Sequence, residues 1–176
     1  GERKINGFKS NFSYPLESQN KITVRNAISH LPEPPKDGTE YQNIIHHRRD
    51  KLSKLNLERI RYVKEGQGMA FLPERLLADC HKVGAAKIGH RNVYGRMSWD
   101  DVSPTITARF DSFTRGMFGH PEQDRSITLR EGAILQTFPS DFNFCGNKVD
   151  IARQIGNAVP VNLAEAIGKE IIKAIV

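Results

Sequence analysis

The chain has 176 residues, of which 38% are apolar and 26% are charged, so one domain with a modest core is expected. No apolar run reaches the roughly 18 residues that a membrane span needs, and the first residues lack the apolar segment of a secretory signal, so a cytoplasmic protein is expected. The net charge of +6 suits a polyanionic partner but does not select one, because many basic surfaces are simply solvated.

The first 45 residues are expected to form a mainly irregular linker region. Thr23 is a candidate N-cap for a short helix over Val24–Leu31. Pro32, Pro34 and Pro35 would end that helix, because proline cannot continue the backbone hydrogen bonds. The stretch after these prolines is therefore predicted to be a linker.

A basic segment follows the linker. Between positions 46 and 64 seven Lys or Arg residues stand against two acids, the densest positive charge in the chain. Apolar residues at regular intervals among them predict one or two short helices. The segment is interpreted as a solvated helix face, with phosphate contact as the alternative.

The cysteines and histidines of the chain do not predict a metal site. Cys80 and Cys145 lack ligand spacing, so they are interpreted as packing residues of a protein from a reducing compartment. The pair His46-His47 has no matching Cys or His pair at metal-binding distance in sequence. No metal is predicted.

A helix is expected over residues 73–82 because Pro73 suits a first helical turn. The composition then changes. Residues 84–119 contain five glycines and short β-prone pieces, such as Asn92–Tyr94 and Thr105–Thr107. This pattern predicts short strands joined by functional loops.

Three helices are predicted in the last third of the chain. Thr128 and Glu131 form a capping-box pattern, which begins a helix that ends before Pro139. A second helical segment leads to Gly156, and a last helix begins near Pro160. The apolar face of this last helix consists of Leu163, Ile167, Ile171 and Ile175.

Two segments of this region resemble known motifs. Residues 125–139 (RSITLREGAILQTFP) are similar to the ninth motif of the DNA (cytosine-5)-methyltransferases, and residues 154–160 (QIGNAVP) are similar to their tenth. Upstream, residues 94–99, 103–109 and 119–121 resemble the target-recognition region of that family. The chain is therefore identified as similar to the C-terminal part of such an enzyme.

The resemblance implies an α+β fold. A small, loop-rich target-recognition domain with a mixed sheet is expected over residues 46–125. The ninth and tenth motifs would form a helical segment over residues 126–176, which packs on a Rossmann-like cofactor domain that is missing from this chain. Residues 1–45 would link the recognition domain to the absent catalytic half.

Several motifs of the family do not occur in the sequence. These are the Pro-Cys dipeptide with the nucleophilic cysteine, the Glu-Asn-Val motif, the glycine-rich Phe-x-Gly-x-Gly turn and the Gln-x-Arg-x-Arg motif. All of them precede the recognition region in the family order, so the chain resembles an enzyme cut just after its catalytic half. No catalytic residue is expected in this chain, and the chain alone is expected to be inactive.

The resemblance also assigns candidate site residues. Asn157 and Ala158 are expected to contact S-adenosylmethionine, although a capped corner between two helices is the alternative. The candidates for DNA contact are Arg91, Arg96, Thr105, Thr107, Arg109 and Arg115. Solvated arginines and threonines chosen for strand propensity are the alternatives.

Other polar residues of the ninth motif are expected to have structural roles. Arg125, Arg130 and Glu131 are predicted to organise the recognition domain, since a capping-box glutamate already has a structural task. Trp99 is predicted to lie in the core. None of these four residues is expected to contact a ligand.

The implied function is recognition of double-stranded DNA and completion of an S-adenosylmethionine-dependent cytosine-5 methyltransferase. The expected partners are DNA, the catalytic half and, for the isolated chain, a second copy bound through the last helix. The rival hypothesis is a stand-alone, non-catalytic DNA-binding or regulatory module, and a purely structural scaffold is a third. A neighbouring reading frame with the missing motifs would discriminate between them.

Overall fold

The computed structural model describes residues 12–82 and 92–175, which form helices and irregular segments. Its α-helices are α1 (Val24–Ile28), α2 (Lys54–Tyr62), α3 (Asp79–Lys82), α4 (Leu129–Leu135), α5 (Lys148–Asn157) and α6 (Val161–Ile175). Short 3-10 turns occur at Met69–Phe71, Glu74–Leu76 and Phe113–Arg115. Across both described ranges, every helix is too short or too polar to cross a membrane.

Capping residues fix the starts of α1, α4 and α5. The Thr23 side chain accepts the Asn26 N–H, and the Asn26 side chain accepts the Thr23 N–H in return. Thr128 and Glu131 form the same reciprocal pair at the start of α4, as predicted. Each pair satisfies N–H groups that a helix leaves without partners in its first turn.

A first hydrophobic cluster joins α1, α4 and α5 to the irregular segment between residues 97 and 118. Its buried members include Val24, Ile28, Met97, Trp99, Ile106, Phe110, Phe118, Ala133, Ile151 and Ile155. Trp99 is 5% exposed, which confirms that it lies in the core. The predicted linker region therefore contains a core helix, and this cluster joins residues on both sides of position 125.

A second cluster surrounds α2 and the first two 3-10 turns. Its buried members are Ile60, Val63, Met69, Leu72, Leu76, Tyr94 and Phe113. Arg59 lies inside this cluster, with its guanidinium carbon 4.4 Å from the centre of the Tyr94 ring and its Nε donating to the Leu76 carbonyl at 2.7 Å. The interpretation of the basic segment as a solvated face is therefore wrong for Arg59, whereas Arg48, Lys51 and Lys54 are exposed.

Isolated bridges join the irregular segments in the described ranges. A parallel bridge joins Arg96 to Gly119, and an antiparallel bridge joins Gly119 to Ser126. A third, antiparallel, lies between Tyr41 and Ile44. One parallel and one antiparallel pairing thus meet at Gly119 without a longer strand, and the mixed sheet stays a prediction.

Both cysteines lie at the surface as free thiols. Cys80 is in the four-residue helix α3. Cys145 precedes Gly146, which has a φ of 116° at the turn before α5. The interpretation of these residues as packing residues is wrong, because each occupies a short surface element rather than the apolar face of a longer one.

Helix α6 presents much of its apolar face to solvent. Leu163 is 47% exposed, Ile171 44% and Ile175 78%. An amphipathic helix of this length is normally stabilised by burial of its apolar face. Among the residues that the structure describes, the apolar face that the sequence predicted therefore remains partly exposed, and its packing on a cofactor domain remains a proposal.

Candidate DNA and cofactor surface

The segment from Thr105 to Thr107 has the alternating exposure that the sequence predicts. Ile106 is 5% exposed and belongs to the first hydrophobic cluster, whereas Thr105 and Thr107 are both exposed. The buried isoleucine anchors the segment. Both threonine hydroxyls are therefore accessible to a ligand.

The end of α5 lies directly against this segment. A Cβ atom placed on Gly156 would be 2.2 Å from the carbonyl carbon and oxygen of Thr107 and 2.4 Å from the Ala108 nitrogen. A β-carbon cannot approach backbone atoms so closely, so this contact requires glycine at position 156. The helix end and the threonine segment consequently form one continuous surface.

The corner after α5 carries the two predicted cofactor residues. Asn157 is exposed, Ala158 is half-buried, and the Ala158 N–H donates to the Ile155 carbonyl at 3.3 Å. A groove of about 280 Å³ lies between this corner and the threonine segment. It is lined by Ser103, Pro104, Thr105, Ile106, Leu135, Gln136, Gly156, Ala158 and Pro160. The structure thus brings Thr105 and Ala158 together in one groove.

Arg96 differs from its predicted role, because it is buried. Its Nε donates to the Val63 carbonyl at 2.9 Å, and its Nη1 donates to the carbonyls of His120 at 2.9 Å and Gln123 at 2.7 Å. Its Nη2 donates to Asp124. Most of the guanidinium donors are therefore used inside the protein, and this geometry does not support the predicted DNA contact, which stays a prediction.

Arg109 and Arg115 lie at the surface as expected of DNA contacts. Arg109 is 51% exposed at its side chain and forms a long 3.4 Å ion pair with Asp111. Arg115 is exposed at the end of a 3-10 turn, and the described part of the chain provides it with no ion pair or side-chain hydrogen bond. Both guanidinium groups are accessible to an anion. Arg91 lies outside the described residues.

Arg125, Arg130 and Glu131 of the ninth motif are buried, which suits the structural role expected of them. Arg125 donates to both carboxylate oxygens of Glu131 at 2.7 Å, and Glu131 Oε2 also accepts the Thr128 N–H at 2.7 Å. Burial alone would raise the pKa of Glu131, but the hydrogen bonds and charge of Arg125 outweigh burial and lower it. Arg130 donates to the backbone carbonyls of Ile45 at 3.0 Å and Phe142 at 2.8 Å.

The two adjacent histidines have partners within the protein. The His47 ring bonds to Thr128 Oγ1 at 3.0 Å and to the Pro32 carbonyl at 2.8 Å. His46 Nε2 accepts the Phe144 N–H at 3.3 Å. No group of three His, Cys, Asp or Glu side chains in residues 12–82 and 92–175 is placed to hold a metal ion.

Gln136 was not among the predicted site residues. It lines the groove and is only 6% exposed. Gln136 is the C-cap residue of α4, and a polar residue at a helix end is expected at the surface. The sequence pattern therefore does not indicate its burial. Only the packing of α4 against α5 brings its amide to the corner after α5.

Comparison with known proteins gives a consistent family. The model of C-5 cytosine-specific DNA methylases matches residues 4–173. The chain is 43% identical to the type II methylase M.HgiDII of Herpetosiphon aurantiacus over 87% of the chain and 44% of that protein. It is 36% identical to the type II methyltransferase M1.HphI of Haemophilus parahaemolyticus over 86% of the chain and 37% of that protein.

The chain also matches part of a plant protein. The chain is 32% identical to DNA (cytosine-5)-methyltransferase 3 of Arabidopsis thaliana over 93% of the chain and 13% of that protein. The chain thus spans less than half the length of each of these relatives. The match of the family model over almost all of the sequence places the chain among the C-5 cytosine-specific DNA methylases.

Proposed function

We propose that this chain recognises double-stranded DNA in a sequence-specific manner and completes the S-adenosylmethionine site of a DNA cytosine-5 methyltransferase. The observation that carries the proposal is the groove in which Thr105 meets Gly156 and Ala158, the neighbours of the exposed Asn157. A methyltransferase must hold an extruded cytosine next to the methyl donor. This chain would supply one wall of the nucleotide site and one wall of the cofactor site. The contact between Gly156 and Thr107 holds these two walls together.

The residues at the corner fit one side of a cofactor site. Asn157 is exposed, and in the described ranges its side chain forms no hydrogen bond, so the amide can donate to or accept from a ligand. The groove of about 280 Å³ is slightly smaller than complete small-molecule sites, roughly 300–1,000 Å³, which suits a chain that supplies one side of the site. S-adenosylmethionine, when bound, would supply the methyl group that the complete enzyme transfers to C5 of cytosine.

The chain's own residues would bind and orient the DNA. Thr105 would contact the backbone of the extruded nucleotide through its exposed hydroxyl. Arg109 and Arg115 would contact phosphates or guanine edges, the ligands that a guanidinium binds in bidentate fashion. The buried ion pair of Arg125 and Glu131 keeps the recognition segment fixed against α4.

The exposed apolar face of α6 favours a partner whose own apolar surface would cover it. The match covers 44% and 37% of two relatives, so more than half of each lies outside the matched part and is long enough for such a partner. We therefore assign the face to the catalytic half of the enzyme. Fully burying one large aliphatic side chain contributes about 1.5–3 kcal/mol, so several side chains of this face would contribute substantially to assembly.

Reconstitution tests the proposal. The chain alone is expected to transfer no labelled methyl group to DNA, and addition of a catalytic half with the Pro-Cys and Glu-Asn-Val motifs is expected to establish transfer. Methylation mapping would then give the recognised site. Transfer by the chain alone, or an assembled complex that binds DNA but never methylates it, would contradict the proposal, and the second result would favour a non-catalytic DNA-binding module.

Substitution of the surface arginines tests the recognition part. In the assembled enzyme, Arg109→Ala and Arg115→Ala are each expected to weaken DNA binding by about 1–3 kcal/mol. Relaxed site choice would indicate a base contact, and an equal loss on all sequences a phosphate contact. Arg75→Ala is the control, because the Arg75 side chain is also exposed, at 64%, but is not among the residues assigned to DNA contact. Equal effects of all three substitutions would contradict the assignment.

A further inference from the structure

Gln136 spans the corner after α5 with a single buried amide group. Its Nε2 donates to the carbonyl oxygen of Ile155 at 2.9 Å and to that of Ala158 at 3.2 Å. These carbonyls lie on either side of Asn157. The amide therefore uses both of its N–H donors to fix the backbone around the exposed asparagine.

The backbone beside Gln136 fixes the other end of the corner. The Val161 N–H donates to the Gln136 carbonyl at 3.3 Å, and the Asn162 N–H donates to Thr137 Oγ1 at 3.0 Å. Both N–H groups belong to the first turn of α6, where a helix leaves its donors without partners. Thr137 has a φ of 61°, a conformation that non-glycine residues rarely adopt. The end of α4 thus contacts both helices that flank the corner.

The side chains at the corner have complementary orientations. Gln136 is buried with its donors satisfied, whereas Asn157 is exposed and, in residues 12–82 and 92–175, has no hydrogen-bond partner at its side chain. Binding is tighter when a site is already held in its bound conformation, because less freedom is lost on binding. The hydrogen bonds of buried Gln136 would therefore affect the affinity for a ligand that contacts the exposed Asn157.

We propose that Gln136 is a positioning residue, which holds the corner from Gly156 to Pro160 so that Asn157 and Ala158 face S-adenosylmethionine. The proposal rests on the proposed function, because it takes the corner as one wall of the cofactor site. It predicts that Gln136 acts on cofactor affinity without contact to the cofactor. DNA affinity depends on other residues and is expected to be unaffected.

The test is the substitution Gln136→Met in the complete enzyme. Methionine has a similar length and volume but no N–H donor, so the carbonyls of Ile155 and Ala158 lose their partner. If both hydrogen bonds are of ordinary strength, their loss should weaken the binding of S-adenosylmethionine by roughly 30-fold, as measured by calorimetry. The dissociation constant for specific DNA should change by less than about twofold. Gln136→Glu, which keeps the shape but removes the donors, should weaken cofactor binding as well.

A matched control removes a similar bond elsewhere. Gln67 accepts the Lys64 N–H at 3.0 Å through its Oε1 and does not line the groove. Gln67→Met should leave cofactor affinity as it is in the unsubstituted enzyme. Equal losses of cofactor and DNA affinity in Gln136→Met, or cofactor affinity unchanged in both Gln136 variants, would overturn the positioning role.

Hydrogen exchange separates this proposal from the proposed function. In the chain alone, Gln136→Met should increase the exchange rate of the Ala158 amide, which donates to the Ile155 carbonyl within the corner, more than that of the amides in the first half of α5. If the unsubstituted enzyme bound no cofactor, the proposed function would fail and with it the cofactor role. Faster exchange would even then identify Gln136 as the residue that holds the corner. Unchanged exchange would overturn the proposal whatever the cofactor result.

Discussion

His120 lies in the core with its imidazole edge-on to the indole of Trp99, at 5.2 Å between ring centres. Its Nδ1 accepts the N–H groups of Glu122 at 3.2 Å and Gln123 at 3.0 Å. Burial, followed by the positive charge of Arg125, lowers the pKa of His120 from 6.5 to about 4. The ring is therefore neutral in the folded protein at neutral pH.

This lowered pKa predicts loss of stability in acid. The unfolded chain takes up the proton near pH 6.5, whereas the folded chain takes it up only near pH 4. The contribution of neutral His120 to the free energy of unfolding is therefore fully present above pH 6.5 and is lost as the pH falls from 6.5 to 4. The loss by pH 4 is on the order of 3 kcal/mol. Urea unfolding at pH 7 and pH 4.5 measures it.

His120→Asn is the matched variant for this measurement. The asparagine Oδ1 can accept the same two N–H groups but does not titrate. The variant should therefore lose less stability than the original chain over the same pH interval, while the other histidines titrate equally in both. The same pH dependence in both proteins would contradict the role of His120.

Gly156 gives a second prediction at the level of one residue. Gly156→Ala places a methyl group against the Thr107 carbonyl and should lower the free energy of unfolding by about 1–3 kcal/mol, as overpacking does in other cores. Gly168→Ala is the control, because a Cβ there has no neighbour within 4 Å. That change should instead stabilise α6 by roughly 0.5–1 kcal/mol. Thermal unfolding should thus shift in opposite directions.

At the level of elements, the ion pair of Arg125 and Glu131 joins α4 to the segment before it. The two side chains are 1% and 2% exposed. Glu131→Gln would leave the Arg125 charge buried without its partner, which typically costs about 3–5 kcal/mol. Glu165→Gln breaks the exposed pair with Lys169 and should leave stability almost unchanged. Similar midpoints of chemical unfolding for both variants would contradict this difference.

The sequence predicts helices better than it predicts contacts between them. The capping box at Thr128 and the apolar spacing of the last helix depend on neighbours a few residues away, and the structure has α4 and α6 where these patterns predict them. The positions of Arg96 and Gln136 depend on carbonyls more than 18 residues away in sequence. No local pattern encodes such contacts, so an arginine in a loop suggested a surface role.

In the candidate site, too, the sequence predicts individual residues better than the contacts between distant segments. Thr105 and Ala158 were predicted from the resemblance of the threonine segment and the tenth motif to the family, whereas Gln136, which also lines the groove, was not. Their meeting depends on the close approach of Gly156 to Thr107, which spacing in sequence does not indicate. The burial of Arg59 within the basic segment, likewise, follows from the aromatic ring of Tyr94, which lies on a distant part of the chain.

For the whole molecule, the exposed face of α6 predicts self-association of the isolated chain, because exposed apolar patches favour substitute partners. Sedimentation should show a dimer that Ile167→Asp and Ile171→Asp convert to monomer. Lys169→Asp is the control on the same helix, since Lys169 is 66% exposed at its side chain and paired with Glu165. A monomer indifferent to all three substitutions would contradict this role of α6. Assembly with the catalytic half should compete with the dimer.

The internal bonds of Arg96 have a consequence for engineering of a new target sequence. A library that varies every arginine between residues 92 and 125 would include Arg96 and would lose folded members, because its guanidinium binds the carbonyls of Val63, His120 and Gln123 at once. Under the proposed function, Arg109 and Arg115 are better positions to vary, because their side chains reach solvent. Selection for altered specificity would then test new DNA contacts on a protein that stays folded.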